Sequence, residues 1–284
     1  MSGGVADIFI AHEGVAISAD RFGVRGAQPI ILLHGGGQTR NAWGATAKVL
    51  GDRGYDVISM DLRGHGDSGW SPARAYNLSD FRDDLAAVAQ SIGRPAIVVG
   101  ASLGGLAGLL VGGECARHLI KALVLVDITH QNAPDSDNRI LAFMTANREG
   151  FASVDAAADA VAAYLPHRPR PRDTNGLLKN LRLRDGRYFW HWDPAFVEVA
   201  SASRPTEDAR LAAAAQNTAV PTLLIRGAQS EIVGEEEAAA FAKLVPDAQV
   251  IVVGGAHHMV AGDQNTVFAA AVFEFLDRFA PATL

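Results

Sequence analysis

The chain has 284 residues, enough for one large core or a core with an appendage, and its 49% hydrophobic and 20% charged content is that of a water-soluble globular protein. A formal net charge of -6 excludes the broad basic surface that phosphate neutralisation requires, so no nucleic-acid partner is expected. With Cys115 as the only cysteine, neither an intramolecular disulfide nor a multi-cysteine zinc site can form.

The opening MSGGVADIFI lacks the basic and then apolar regions of a secretory signal, and a cytoplasmic protein is expected. Val5 to Phe22 reads as an antiparallel hairpin at a sheet edge. Six short runs follow: PIILLHG at 29–35, YDVISMDL at 55–62, AIVVGAS at 96–102, KALVLVD at 121–127, PTLLIRG at 221–227 and QVIVVGG at 249–255. Each is apolar throughout rather than alternating, as parallel strands covered on both faces require. Helical stretches lie between them, such as 79–92, where Ser79 can cap and Gly93 can terminate. The alternation predicts an α/β class with a doubly wound, mostly parallel sheet. Residues 101–116, ASLGGLAGLLVGGECA, are the most apolar stretch. They are too short and too glycine-rich for a span of about 20 residues, so a buried helix is expected and no membrane partner.

The rhythm breaks between Asp127 and Pro221, where roughly ninety residues intervene although a crossover needs only about a dozen. Ala-rich helical stretches, the loop PHRPRPR and the aromatic run YFWHWDPAF fall here. An insertion after a strand's C-terminal end is well placed to lie over the ligand edge of the sheet. The expected division is a core of residues 1–127 and 219–284 with a helical cap subdomain from about Ile128 to Thr218.

Gly100-Ala101-Ser102-Leu103-Gly104 fits G-x-S-x-G at the end of one predicted strand and the start of a predicted helix, the context that motif needs. A sharp turn there packs backbone against backbone, which accounts for the glycines, and lifts the Ser102 hydroxyl out at the sheet edge. The alternative is a tight turn and nothing more. The first helical turn also presents backbone N–H groups, including that of Leu103, where an oxyanion would form. The segment HGGGQT at 34–39 supplies a second donor, the N–H of Gly36, with no Cβ in the way. GGAHHMVAGD at 254–263 offers a base, one of His257 and His258. Neighbouring histidines seldom point the same way and no H-E-x-x-H helix accompanies them, so no metal is expected. GHGDSG at 64–69 matches G-x-G-x-x-G but runs on into a proline-containing loop where a dinucleotide site needs a helix.

Taken together, LLHGGGQT, DLRGHGDS, GASLGG, VLVD, PTLLIRG and HMVAGD resemble, in order, the landmarks of the α/β-hydrolase fold, over nearly the whole chain outside the cap. The resemblance implies Ser102 as nucleophile, the N–H groups of Gly36 and Leu103 as oxyanion hole, and His258 as base. The acid departs from the common pattern, because the position three residues beyond the glycine of PTLLIRG is Ser230. Glu231, the next residue, is the preferred acid, and Asp127, at the end of the preceding strand, is the alternative.

Such a site would hydrolyse a small-molecule carboxylic ester or lactone through an acyl-enzyme, without a cofactor. Two alternatives stand beside it: a carbon–carbon bond hydrolase of ring-fission dienoic acids, and a non-enzymatic ligand-binding protein on the same fold. Trp190 and Trp192 in the cap, with Met259 beside His258, are the candidate substrate-binding residues, although Trp190, Trp192 and Phe189 are expected to anchor the cap's own core first. Arg168, Arg170, Arg172, Lys179, Arg182, Arg184 and Arg187 make the cap locally basic, a pattern read as a solvated face. The oligomeric state is not encoded in any motif.

Overall fold

The computed structural model describes residues 4–115, 118–134, 136–203, 207–263 and 265–282. Strands β1 (Val5–Ile10) and β2 (Ala16–Gly23) form the expected hairpin, and β3 (Pro29–Leu33) is the first parallel strand. Then come α1 (Gly44–Asp52), β4 (Asp56–Met60), α2 (Leu78–Ile92), β5 (Ala96–Ala101), α3 (Leu103–Glu114) and β6 (Ile120–Val126). After β6 the chain forms α4 (Ser136–Thr145), α5 (Val154–Tyr164), a short hairpin of β7 (Leu181–Arg184) and β8 (Arg187–Trp190), α6 (Pro194–Ser203) and α7 (Asp208–Asn217). The sheet resumes with β9 (Thr222–Gly227), α8 (Glu235–Leu244), β10 (Gln249–Val253), α9 (Val260–Asp263) and α10 (Asn265–Phe279).

The eight-stranded sheet has the order β1-β2-β4-β3-β5-β6-β9-β10, and only β2 runs antiparallel to its neighbours. Its central strands bury both faces because side chains alternate across the pleat. Ile31 and Leu33 join Phe81, Leu85, Leu110 and Leu211 on one side, whereas Ile30 and Leu32 join Leu50, Phe268 and Phe275 on the other. Continuous apolar runs are the sequence form of that two-sided burial.

Helix α2 starts one residue before the expected Ser79. Asn77 is its N-cap, with the Asp80 carboxylate accepting the Asn77 N–H at 2.7 Å, while the Ser79 hydroxyl instead accepts from Arg210 at 2.9 Å. Gly93 ends it at φ 74°, as expected. The apolar stretch 101–116 contains the buried helix α3, and among the described residues no helix is long and apolar enough to cross a membrane.

The segment between β6 and β9 holds the cap subdomain, helices α4, α5 and α6 with the β7–β8 hairpin. Asp185 and Gly186 turn that hairpin with positive φ at both positions (50° and 75°). Helix α7 lies inside the 128–218 span expected for the cap, yet it belongs to the layer over the sheet. It approaches α3 so closely that a Cβ on Gly113 would stand 2.2 Å from the Ala214 carbonyl oxygen. Leu211, Ala214 and Ala215 are buried there. The span from β6 to β9 thus includes, besides α4 to α6 and the hairpin, a helix that covers the sheet beside α3.

Candidate active site

Ser102 sits between β5 and α3 at φ 46° and ψ -118°, a conformation L-residues rarely adopt. The crowding that enforces it is measurable. A Cβ on Gly100 would lie 2.4 Å from the Gly104 oxygen, and one on Gly104 would lie 2.5 Å from the Leu33 Cβ and 2.7 Å from the Leu33 oxygen. Both motif glycines are thus demanded by backbone contact. The N–H of Leu103 opens α3, a twelve-residue helix, and makes no hydrogen bond among the described residues.

The loop after β3 is held by three buried histidines, none of them singled out by the sequence analysis. His34 donates from Nδ1 to the Gly35 oxygen at 2.7 Å and accepts the Leu62 N–H on Nε2 at 3.0 Å. His65 accepts the Gly37 N–H on Nε2 at 3.1 Å and donates from Nδ1 to the Arg63 oxygen at 2.9 Å. His191, from the cap, accepts the Gly66 N–H at 2.7 Å and donates to the Gly37 oxygen at 3.3 Å. Each ring bridges one donor and one acceptor, which requires the neutral form. Burial enforces it, pushing His34 down to about 4 and His65 to about 3, and His191 also well below its usual range. With the Gly35 N–H taken by the Gln38 side chain at 3.1 Å and that of Gly37 by His65, the Gly36 N–H between them makes no hydrogen bond among the described residues. The same interactions place GHGDSG in a supporting loop, with no helix opening behind it.

His258 follows β10, and its Nδ1 lies 2.7 Å from Asp127 Oδ2. Asp127 is wholly buried at the end of β6, with φ 51°, and its Oδ1 accepts the Gly227 N–H at 3.0 Å. The preference for Glu231 as partner of His258 is corrected here. Ser230 fills the inward position of the loop after β9, donating its hydroxyl to Asp127 Oδ2 and accepting the N–H groups of Ile232 and Val233 at 3.0 and 3.1 Å. That turn sends Glu231 outward, where Oε1 lies 3.4 Å from Nδ1 of His257 and 3.8 Å from Arg139. Strand order admits a carboxylate from either strand, since β6 and β9 both lie between β5, which carries Ser102, and β10, which precedes His258; the inward place of Ser230 is what leaves the position to Asp127.

Ser102, His258, Gly36, Leu103 and Met259 all line one cavity of about 730 Å³. Its cap side is apolar, with Phe143, Met144, Trp190, Trp192 and Phe196. Trp190 and Trp192 stack at 5.1 Å between centroids and are almost fully buried, so they anchor the cap's core and line the cavity at once. Phe189 lies outside the lining and packs under Arg184. Phe196, which sequence reasoning passed over, meets Gly36 at 3.4 Å from a Cβ position and His65 edge-on at 4.7 Å. The cap arginines are largely engaged. Arg168 binds Asp263, Arg170 binds Asp155 and Asp159, Arg182 binds Asp67, and Arg187 donates to the Glu149 and Gly150 carbonyls.

Residues 28–263 match the family model described as the alpha/beta hydrolase fold. Among known proteins, the chain is 32% identical over 272 residues to an esterase of Mycobacterium tuberculosis, covering 92% of this chain and 87% of the relative. It is 25% identical over 278 residues to 2-hydroxy-6-oxo-6-(2'-aminophenyl)hexa-2,4-dienoic acid hydrolase of Metapseudomonas resinovorans, covering 90% and 86%. The solved structure of E-2-(acetamidomethylene)succinate hydrolase shares the fold with a TM-score of 0.87 at 22% identity, covering 96% of this chain and 99% of that one. Strand order, the tight turn at Ser102 and the match over most of the chain lead to one conclusion: this protein belongs to the α/β-hydrolase fold family and is a hydrolase.

Proposed function

We propose that the protein hydrolyses carboxylic esters of small molecules with an apolar acyl group, through an acyl-enzyme on Ser102. The observation that carries this reading is the 2.7 Å contact of His258 Nδ1 with buried Asp127, on a loop lining the same cavity as Ser102. An Asp127 carboxylate that accepts the Nδ1–H leaves the lone pair on Nε2, the tautomer a general base needs. His258 takes the Ser102 proton as the hydroxyl attacks the acyl carbonyl, and the N–H groups of Gly36 and Leu103 stabilise the oxyanion. His258 then protonates the leaving alcohol, and water repeats the cycle on the acyl-enzyme. Asp127 replaces Glu231 in this scheme, and no cofactor takes part.

The likeness to a dienoic acid hydrolase keeps carbon–carbon cleavage as a second reading. The cavity favours the ester. Among its described lining residues Arg139 is the one permanently cationic side chain, half-exposed and 3.8 Å from Glu231, a weak partner for a substrate carboxylate. Intact-mass analysis after a fluorophosphonate should show one adduct, lost in Ser102→Ala. Hydrolysis of p-nitrophenyl esters without turnover of a coloured dienolate supports the ester reading, and the reverse result overturns it.

A further inference from the structure

The cap touches the loop after β3 through His191, which stands between the cavity-lining Trp190 and Trp192 without itself lining the cavity. Its Nδ1 accepts the Gly66 N–H at 2.7 Å, a contact that only a bare ring nitrogen can make. The neutral ring therefore carries its proton on Nε2, which faces the Gly37 oxygen at 3.3 Å. Burial keeps the ring in that form. The Gly37 carbonyl belongs to the same peptide group as the Gln38 N–H, and that N–H donates to the Gly35 oxygen at 3.1 Å. The Gly35 carbonyl in turn shares a peptide group with the Gly36 N–H. Two amides in series thus join the cap to the Gly36 N–H. We propose that His191 is a positioning residue for the oxyanion hole, aiming and polarising the Gly36 N–H through those two amides. The inference rests on the reading of that N–H as a donor to the oxyanion formed at Ser102.

Planarity carries the geometry. A peptide group is rigid, so a donor that fixes its carbonyl also fixes the direction of its N–H. Hydrogen bonding in series carries the charge, because an amide whose carbonyl accepts a hydrogen bond becomes a stronger donor, by about 10–30% per bond. The benefit falls on the transition state, where the substrate oxygen becomes anionic, and so on kcat more than on KM. His34 also donates to the Gly35 oxygen, at 2.7 Å, so loss of His191 weakens the arrangement without abolishing it.

The cap has other fastenings, which separates this role from simple docking. The Asp193 N–H donates to the Gly64 oxygen at 2.8 Å, and the Tyr76 hydroxyl donates to Asp193 Oδ2 at 2.6 Å. Arg182 binds the Gly66 oxygen and the Asp67 carboxylate, each at 2.7 Å. Among these contacts, His191 is the one that reaches the Gly37 carbonyl and through it the oxyanion loop.

The test compares His191→Phe, which keeps a ring without either nitrogen, with His191→Gln, whose amide offers one acceptor and one donor at similar spacing. Two properties are measured on each full-length protein. One is kcat and KM for p-nitrophenyl acetate and hexanoate, and the other is the rate constant for labelling of Ser102 by a fluorophosphonate, whose phosphoryl oxygen uses the same donors. Outright loss of an oxyanion donor costs about 10²–10³ in kcat, so losing its support should cost about tenfold in His191→Phe, equally for both esters, with KM within about twofold. Labelling should slow by a similar factor, and His191→Gln should recover most of both losses. A raised KM with unchanged kcat, an altered ratio between the two esters, wild-type labelling in His191→Phe or no recovery in His191→Gln overturns the inference. Wild-type protein that is labelled yet hydrolyses neither ester overturns the ester reading alone, and labelling then tests His191 by itself. Wild-type protein that resists labelling overturns Ser102 as nucleophile and this inference with it. Should His191→Phe fail to fold, nitrogen NMR of isotope-labelled wild-type protein decides: the His191 proton is expected on Nε2, and a proton on Nδ1 overturns the inference.

Discussion

Replacing Asp127 by Asn tests the site most sharply, because the amide cannot satisfy all the partners the carboxylate serves. Oδ1 accepts the Gly227 N–H at 3.0 Å, while Oδ2 accepts from His258 Nδ1 at 2.7 Å and from the Ser230 hydroxyl. An Asn that keeps its oxygen on Gly227 must turn its NH₂ towards His258. The imidazole then accepts on Nδ1 and carries its proton on Nε2, which cannot take a proton from Ser102. The opposite amide orientation sets NH₂ against the Gly227 N–H, donor against donor. The equivalent change in a Ser-His-Asp triad lowers kcat about 10⁴-fold, roughly 5.5 kcal/mol of transition-state stabilisation. Asn tolerates positive φ as Asp does, so the strand-end turn at φ 51° should survive. The assay is kcat and KM on one p-nitrophenyl ester, with folding checked by circular dichroism. We expect kcat to collapse with KM little changed, and Glu231→Gln to lower turnover less than about tenfold, because that carboxylate faces His257 and not His258. An active Asp127→Asn beside an inactive Glu231→Gln would refute the assignment.

The buried histidines predict acid sensitivity. His34 titrates at about 4 and His65 at about 3 in the folded protein against about 6.5 unfolded, so the unfolded chain takes up protons that the folded one refuses. Stability is therefore full above pH 6.5 and falls as pH drops towards those folded values, by up to about 1.4 kcal/mol per group per pH unit. The urea midpoint should be lower at pH 5 than at pH 7, and equal midpoints would contradict the neutral-histidine scaffold. In the cap, Trp192→Ala enlarges the cavity beside Gly37, where the ring stands 3.3 Å from a Cβ position, and should move the preferred acyl group to longer chains. Unchanged kcat/KM ratios from p-nitrophenyl acetate to laurate would remove Trp192 from the acyl site.

The amino-acid sequence by itself determined the sheet and the turn at Ser102. Two-sided burial writes itself as continuous apolar runs, and a turn in which a Cβ on Gly100 would lie 2.4 Å from the Gly104 oxygen admits nothing larger than glycine. Those constraints act over a few residues, and so they appear as local patterns. The same holds for the hairpin at the amino-terminal edge and for Gly93 at the end of α2. Only the tertiary structure decided the partner of His258. Asp127 and Ser230 are 103 residues apart and meet because β6 and β9 are neighbours, and the inward place that Ser230 takes turns Glu231 away. The role of α7 as a sheet helix, the bridge from His191 to Gly37 and Gly66, and the stacking of the His167 ring on that of His257 at 3.8 Å have the same character. Each joins segments of unrelated sequence through the order of strands and the docking of the cap, and neither leaves a period or spacing along the chain.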